Sequence, residues 1–210
     1  MAGDVRIRVA EPGTITEGTV TGGDAAAVRD IYAHFCASTP VTFEERTPGV
    51  PELAERIATT LETYPWLVCE RDGAVVGYAY ASRLRKRRAY QWVVELSVYV
   101  AADARRSGVG RGLYESVFAI LERQGVRDAY AVTTVPNPET VRFHERMGFE
   151  RLGEFPAIGY SHDDWRDVAW WRRPIGPKTA DPDPIAPFPE VRESPDWESL
   201  VATGEPSLEL

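Results

Sequence analysis

Cysteine, histidine and lysine are all scarce in this chain, and each shortage closes off a class of function. The two cysteines, Cys36 and Cys69, sit in separate apolar segments, which reads as a reduced, buried pair and not as a disulfide framework. The three histidines are scattered, with no Cys, His or Asp cluster at ligand spacing, so no metal is expected. No Ser-His-Asp arrangement is suggested either. Only two lysines, Lys86 and Lys178, stand among 24 basic residues, an arginine bias that fits a GC-rich genome or a saline host alike. No Gly-Lys pair exists, which excludes the Walker loop. No run approaches the roughly 18 apolar residues of a membrane span. The first residues, "MAGDVRIRVAEPGT", carry scattered charges and no apolar signal core, so a cytoplasmic protein is expected.

What remains is ordinary globular material. The 210 residues are 43% hydrophobic and 10% aromatic, enough for one buried core and a tail. The net charge of −8 is unevenly spread: from Gly176 onward eight acids face two bases, so the rest of the chain is close to neutral. Seven of the 16 prolines also lie in that stretch, which predicts a mostly extended or disordered tail. Three segments are expected: a loose arm over residues 1–14, a domain over 15–175, and a Pro-rich acidic tail over 176–210.

Within the domain the pattern alternates between helix and strand periods. "TITEGTV" predicts a strand, and Asp24 a helix cap before Val28, Ile31, Tyr32 and Phe35 at helical spacing. Pro51, Leu53, Ile57 and Leu61 mark a second helix. "YPWLVCERDGAVVGYAYASRL" reads as two strands joined by Asp72-Gly73, and "AYQWVVELSVYV" as a third. After the glycine-rich "RRSGVGRG", Leu113, Val117, Ile120 and Leu121 form one face of a helix ending near Gly125. "DAYAVTTV" is a strand, "NPETVRFHERMG" a short helix, and "FERLGEF" and "RDVAWWRR" a closing pair of strands.

The glycine cluster narrows the function. Gly108, Gly110 and Gly112 give G-x-G-x-G, a poor match to the dinucleotide fingerprint G-x-G-x-x-G. "RRSGVG" instead resembles the Arg/Gln-x-x-Gly-x-Gly/Ala pyrophosphate loop of the Gcn5-related N-acetyltransferases. Glycine lets the backbone approach an anion, and the unpaired N–H groups at a helix start point at it. "ELSVYV" resembles the family's fourth strand, which splays from the fifth and pairs with the pantetheine arm. "NPETVRFHERMGF" resembles the fourth helix and the turn after it, with His144 in the slot where most members carry tyrosine. From about Thr21 to Trp171 the chain is similar, more narrowly, to the phosphinothricin N-acetyltransferases.

The resemblance implies a mixed α/β acyltransferase fold with a central, mostly antiparallel twisted sheet, acetyl-CoA as cosubstrate, a small amine acceptor and a homodimer. It places Glu95 on the family's catalytic glutamate, with His144 as a second candidate that relays the amine proton or protonates the leaving thiolate. Cofactor contacts fall on Val98, Tyr99 and Val100 of the strand, on Arg105, Arg106, Ser107, Gly108, Val109, Gly110 and Arg111 of the loop, and on Asn137. The residues support this independently: a glutamate among Val93, Val94, Leu96 and Val98 is costly to bury unless it is used or paired. "SRLRKRRAY" holds five bases in six positions. By the same resemblance Arg85, Arg87 and Tyr90 bind the anionic head of the acceptor, with Phe43 lining the pocket. The family usually has lysine where Arg85 stands, so the preferred head group is open. Nucleic acid is a poor alternative partner, because no further basic stripe accompanies this run. Two rivals remain at this point: an acetyltransferase for protein N-termini or lysines, and a non-catalytic module that only binds coenzyme A.

Overall fold

The structure is a computed structural model that describes residues 4–209. Its strands are β1 (Val5–Val9), β2 (Thr14–Thr16), β3 (Thr19–Thr21), β4 (Trp66–Arg71), β5 (Ala74–Arg83), β6 (Val93–Val100), β7 (Asp128–Val135), β8 (Glu150–Ser161) and β9 (Asp164–Pro174). Its helices are α1 (Ala25–Ser38), α2 (Val50–Leu61), α3 (Val109–Gln124), α4 (Pro138–Arg146), α5 (Phe188–Arg192) and α6 (Trp197–Val201). Seven strands form one sheet in the order β1-β4-β5-β6-β7-β9-β8, and β2 and β3 form a separate hairpin. Every neighbouring pair is antiparallel except β6 with β7.

Side chains alternate across the strands, so each face of the sheet has its own core. On one face Leu67, Ala79, Ala81, Val94, Leu96, Ala129 and Ala131 pack against the apolar side of α3. On the other, Trp66, Val68 and Tyr78 pack against Val28 and Ile31 of α1 and Leu53 and Ile57 of α2. Cys36 and Cys69 are buried and unpaired, and burial raises both thiol pKa values, Cys69 to about 11. No helix among the described residues is long and apolar enough to cross a membrane.

Four expectations give way here. The first concerns the loose arm, which is largely a strand over Val5–Val9, pairing with β4 from Val5↔Arg71 to Val9↔Leu67. Its alternation explains this: Ile7 is buried, while Arg6 and Arg8 face the other way and bond Glu70. Second, "TITEGTV" folds back on itself, because Glu17 and Gly18 both adopt positive φ at the tip. Third, Asp24 stands at the α1 N-cap, yet its carboxylate accepts from Arg8 at 2.7 and 2.8 Å and from Glu11 N at 2.8 Å instead of capping the helix. Fourth, the tail is built of α5, α6 and intervening turns, with Phe188, Val191 and Val201 in the core. Its prolines sit where helices start, Pro187 at the N-cap of α5 and Pro189 in its first turn, and so they punctuate helices without preventing them.

Candidate active site

β6 and β7 pair in parallel over only three positions, Val93↔Asp128, Val94↔Ala129 and Glu95↔Tyr130. Both strands continue to Val100 and Val135 without pairing to each other, so they splay from Glu95 onward. The outer edge of Leu96–Val100 therefore presents backbone groups to a gap. On its other side the same segment pairs with β5, Tyr99 opposite Tyr78 and Ser97 opposite Tyr80. The Tyr99 ring is held by Tyr32 and Phe35, each with centroids 5.0 Å away, and by Tyr78 at 5.2 Å. Its side chain serves packing, which leaves the backbone of Val98–Val100 as the part facing the gap.

Glu95 lies at the point of the splay. Its neighbours Val94 and Leu96 face α3, so Glu95 faces the α1/α2 side together with its cross-strand partner Ser82. Burial raises its carboxyl pKa, and the charge of Arg85 works against that rise. On this face lies a cavity of about 740 Å³, walled by Tyr32, Arg56, Trp66, Tyr78, Tyr80 and Ser82 among others. The Trp66 ring stacks on Tyr80 at 4.1 Å, and its buried Nε1 has no partner. Arg56 is held by Glu44 and Glu52, both at 2.7 Å. The sequence marked Tyr32 only as part of a helix face, and it marked none of these cavity residues as belonging to a site. Their signal was there: Trp66, Tyr78 and Tyr80 are in-phase aromatics on adjacent strands.

Arg85 and Arg87 line a second cavity of about 250 Å³, with Arg83, Lys86, Arg88 and Gln91, which shares Thr63, Tyr64 and Arg83 with the first. Tyr90 is 41% exposed and stands outside that lining, in the short helical turn Arg88–Tyr90. Phe43 lies apart from both linings, and the tip of its ring reaches Gly159 of β8, where a Cβ would strike it.

The loop before α3 takes the conformation its glycine allows. Arg106 has φ +64° and Gly108 φ +78°, and Gly108 is the N-cap, so no side chain caps the first amides of α3. Ser107 Oγ donates to Ala104 O at 2.7 Å, bracing the turn. The Arg105 guanidinium lies 5.3 Å from the Phe35 ring centre, and Arg111 pairs with Glu115 at 2.8 Å. A Cβ on Gly110 would touch Phe143 and Val100 at 3.5 and 3.7 Å, so the helix start, the end of β6 and α4 converge there. Val109 is fully buried. Asn137 caps α4, its Oδ1 accepting from Thr140 N at 3.2 Å.

His144 sits on the α3 face, opposite Glu95. It is 4% exposed, ringed by Tyr114, Phe143, Phe149 and Trp171, with Nδ1 3.3 Å from Thr133 Oγ1. Burial lowers its pKa to about 4, so the imidazole is neutral at physiological pH. Among the described residues no group of three or more His, Cys, Asp or Glu side chains is placed to hold a metal.

Residues 18–170 match the acetyltransferase (GNAT) domain family, and the chain belongs to it. Its mixed α/β architecture, a mostly antiparallel sheet with one parallel pair and flanking helices, matches solved structures of that family. The chain is 37% identical over 171 residues to a phosphinothricin N-acetyltransferase of Streptomyces viridochromogenes, covering 81% of this chain and 93% of that one. It is 31% identical over 148 residues to an L-methionine sulfoximine/L-methionine sulfone acetyltransferase of Salmonella typhimurium, covering 70% and 86%. A crystal structure of a GNAT phosphinothricin acetyltransferase from Sinorhizobium meliloti in complex with acetyl-CoA matches with TM-score 0.74 and 32% identity, over 90% of this chain and 97% of that one.

Proposed function

We propose that this enzyme moves an acetyl group from acetyl-CoA to the α-amino group of a small amino acid with an anionic or sulfonyl head, of the phosphinothricin, methionine sulfone or methionine sulfoximine type. The observation that carries the reading is the position of Glu95: a half-buried carboxyl at the mouth of the strand gap, on the face that holds the larger cavity, within the field of Arg85.

The chemistry follows from the groups at hand. Only a neutral amine attacks a thioester, and an α-amino group of pKa roughly 8 is only about one-tenth neutral at pH 7. Glu95 accepts its proton as the C–N bond forms. The C–S bond then breaks and the coenzyme leaves as a thiolate that takes up a proton. The backbone edge of Val98–Val100 lines the pantetheine arm, and the amides of Gly108–Arg111 hold the diphosphate, with the positive end of α3 behind them. Arg105 and Arg106 add charge beside it, and the Asn137 amide stands near the arm. Across the gap, neutral His144 acts as a hydrogen-bond donor to the sulfur and not as a titrating acid. Arg85 and Arg87 hold the acceptor's head, guanidinium forks suiting carboxylate, phosphinate or sulfonyl oxygens. Tyr90 follows these arginines in the turn Arg88–Tyr90, whereas Phe43, packed against Gly159, lies away from the two cavities and has no part in this reading. Arg87→Ala should raise KM for anionic-headed acceptors about tenfold or more, the loss of one charge-assisted contact of about 1.5–3 kcal/mol, with little change in kcat. An equal loss on all amines would contradict the pocket assignment.

The reading includes a homodimer. β8 is an edge strand on which Leu152, Phe155, Ile158 and Tyr160 are each 49–59% exposed, a surface that suits pairing with a second copy. Two unpaired buried thiols and an intracellular acetyl donor fit a cytoplasmic enzyme.

A further inference from the structure

The carboxy-terminal segment retraces α3 from its end to its beginning. At the far end, Gln124 Nε2 donates to Ala186 O at 2.8 Å. In the middle, Ser116 Oγ donates to Val201 O at 2.7 Å and accepts from Gly204 N at 3.0 Å. At the start, Glu209 N donates to Ser107 O at 3.0 Å, and Ser207 Oγ bonds Glu115 Oε2 at 2.5 Å. The contact is backbone to backbone: a Cβ on Gly108 would overlap the Ser207 carbonyl oxygen, and a Cβ on Gly112 or Gly204 would overlap the other's carbonyl. Gly108, Gly112 and Ser116, four residues apart, form the smooth strip on which this segment lies. Glu205 ties the same segment to the sheet by accepting from Ile7 N at 3.0 Å.

We propose that residues 204–209 are a strap that sets the loop Arg105–Gly110 in its anion-binding shape, with Gly204, Ser207 and Glu209 as positioning residues acting through the loop. The inference rests on the loop's assignment to the coenzyme. Two loop residues, Arg106 and Gly108, hold left-handed conformations, which a free turn would leave part of the time. A loop fixed on folding does not have to be ordered when ligand arrives, so the strap contributes to affinity without touching the ligand. The family match ends at residue 170, so the strap lies outside it.

The test is calorimetric titration of coenzyme A into the full chain, into Gly204→Val, and into a chain ending at Thr203, with steady-state kinetics on each. Kd for coenzyme A and KM for acetyl-CoA should rise about 5- to 30-fold, the cost of ordering one backbone residue. The kcat at saturating donor and the KM for the amine should hold, and amides of the loop should exchange faster with deuterium. If the shortened chain fails to fold, Gly204→Val in the full chain decides by the same readings. Unchanged coenzyme affinity in the variants overturns the strap, as does a parallel loss in kcat and amine KM. Absence of coenzyme binding in the unaltered protein would instead overturn the proposed function.

Discussion

Glu95 carries its charge at the expense of the fold. Its folded pKa is raised above the ordinary 4.5, so ionising it costs stability as pH rises past that value. Glu95→Gln removes that cost together with the base. Turnover should drop about 10²–10⁴-fold, while the melting temperature at pH 7 stays level or rises. Wild-type turnover in the variant removes Glu95 from its role. His144 works in the opposite sense. Its folded pKa of about 4 lies below the ordinary 6.5, so between those values the unfolded chain takes up a proton that the folded chain refuses. Stability should fall by about 2–3 kcal/mol from pH 6.5 to pH 4, and His144→Phe should flatten that slope in urea titrations. The burial of Glu95 was legible in the sequence because a carboxylate inside a Val-Leu strand stands out. The aromatic cage of His144 was not, since Tyr114, Phe149 and Trp171 come from three distant segments.

Among the elements, the head of α3 tests how its glycines differ. Gly108→Ala places a Cβ on a left-handed residue and into the Ser207 carbonyl, so it should cost at least about 1–2 kcal/mol and weaken coenzyme binding. Gly110→Ala makes only ordinary contacts with Phe143 and Val100, and removing a helical glycine gains about 0.5–1 kcal/mol, so that variant should keep its stability. Thermal melts of the two variants check this directly; an equally destabilised Gly110→Ala would mean the loop is packed otherwise. The helix itself was legible from Leu113, Val117, Ile120 and Leu121. The flanking strip of Gly108, Gly112 and Ser116 was equally visible, but small residues do not announce what covers them. The tail was misjudged because its prolines outweighed the spaced Phe188, Val191, Trp197 and Val201.

For the whole molecule, the hairpin of β4 and β5 and the order of elements from α1 to β9 followed from periodicity and turn signals, while the acetyltransferase fold followed from the family resemblance. β1 was missed because five alternating residues at a chain end look the same whether they pair or hang free. The large aromatic cavity was missed because it needs β4, β5, α1 and α2 brought together. The exposed edge of β8 predicts that light scattering finds twice the mass of the 23.4 kDa chain, and that a charge at Ile158 shifts it towards the single chain. The most direct measurement is release of free thiol from acetyl-CoA in the presence of phosphinothricin, methionine sulfone, methionine sulfoximine, common amino acids and short peptides. Turnover should be found on the anionic and sulfonyl-headed amino acids; turnover on peptides alone, or on none of these amines, would contradict the proposed transfer to a small amino acid.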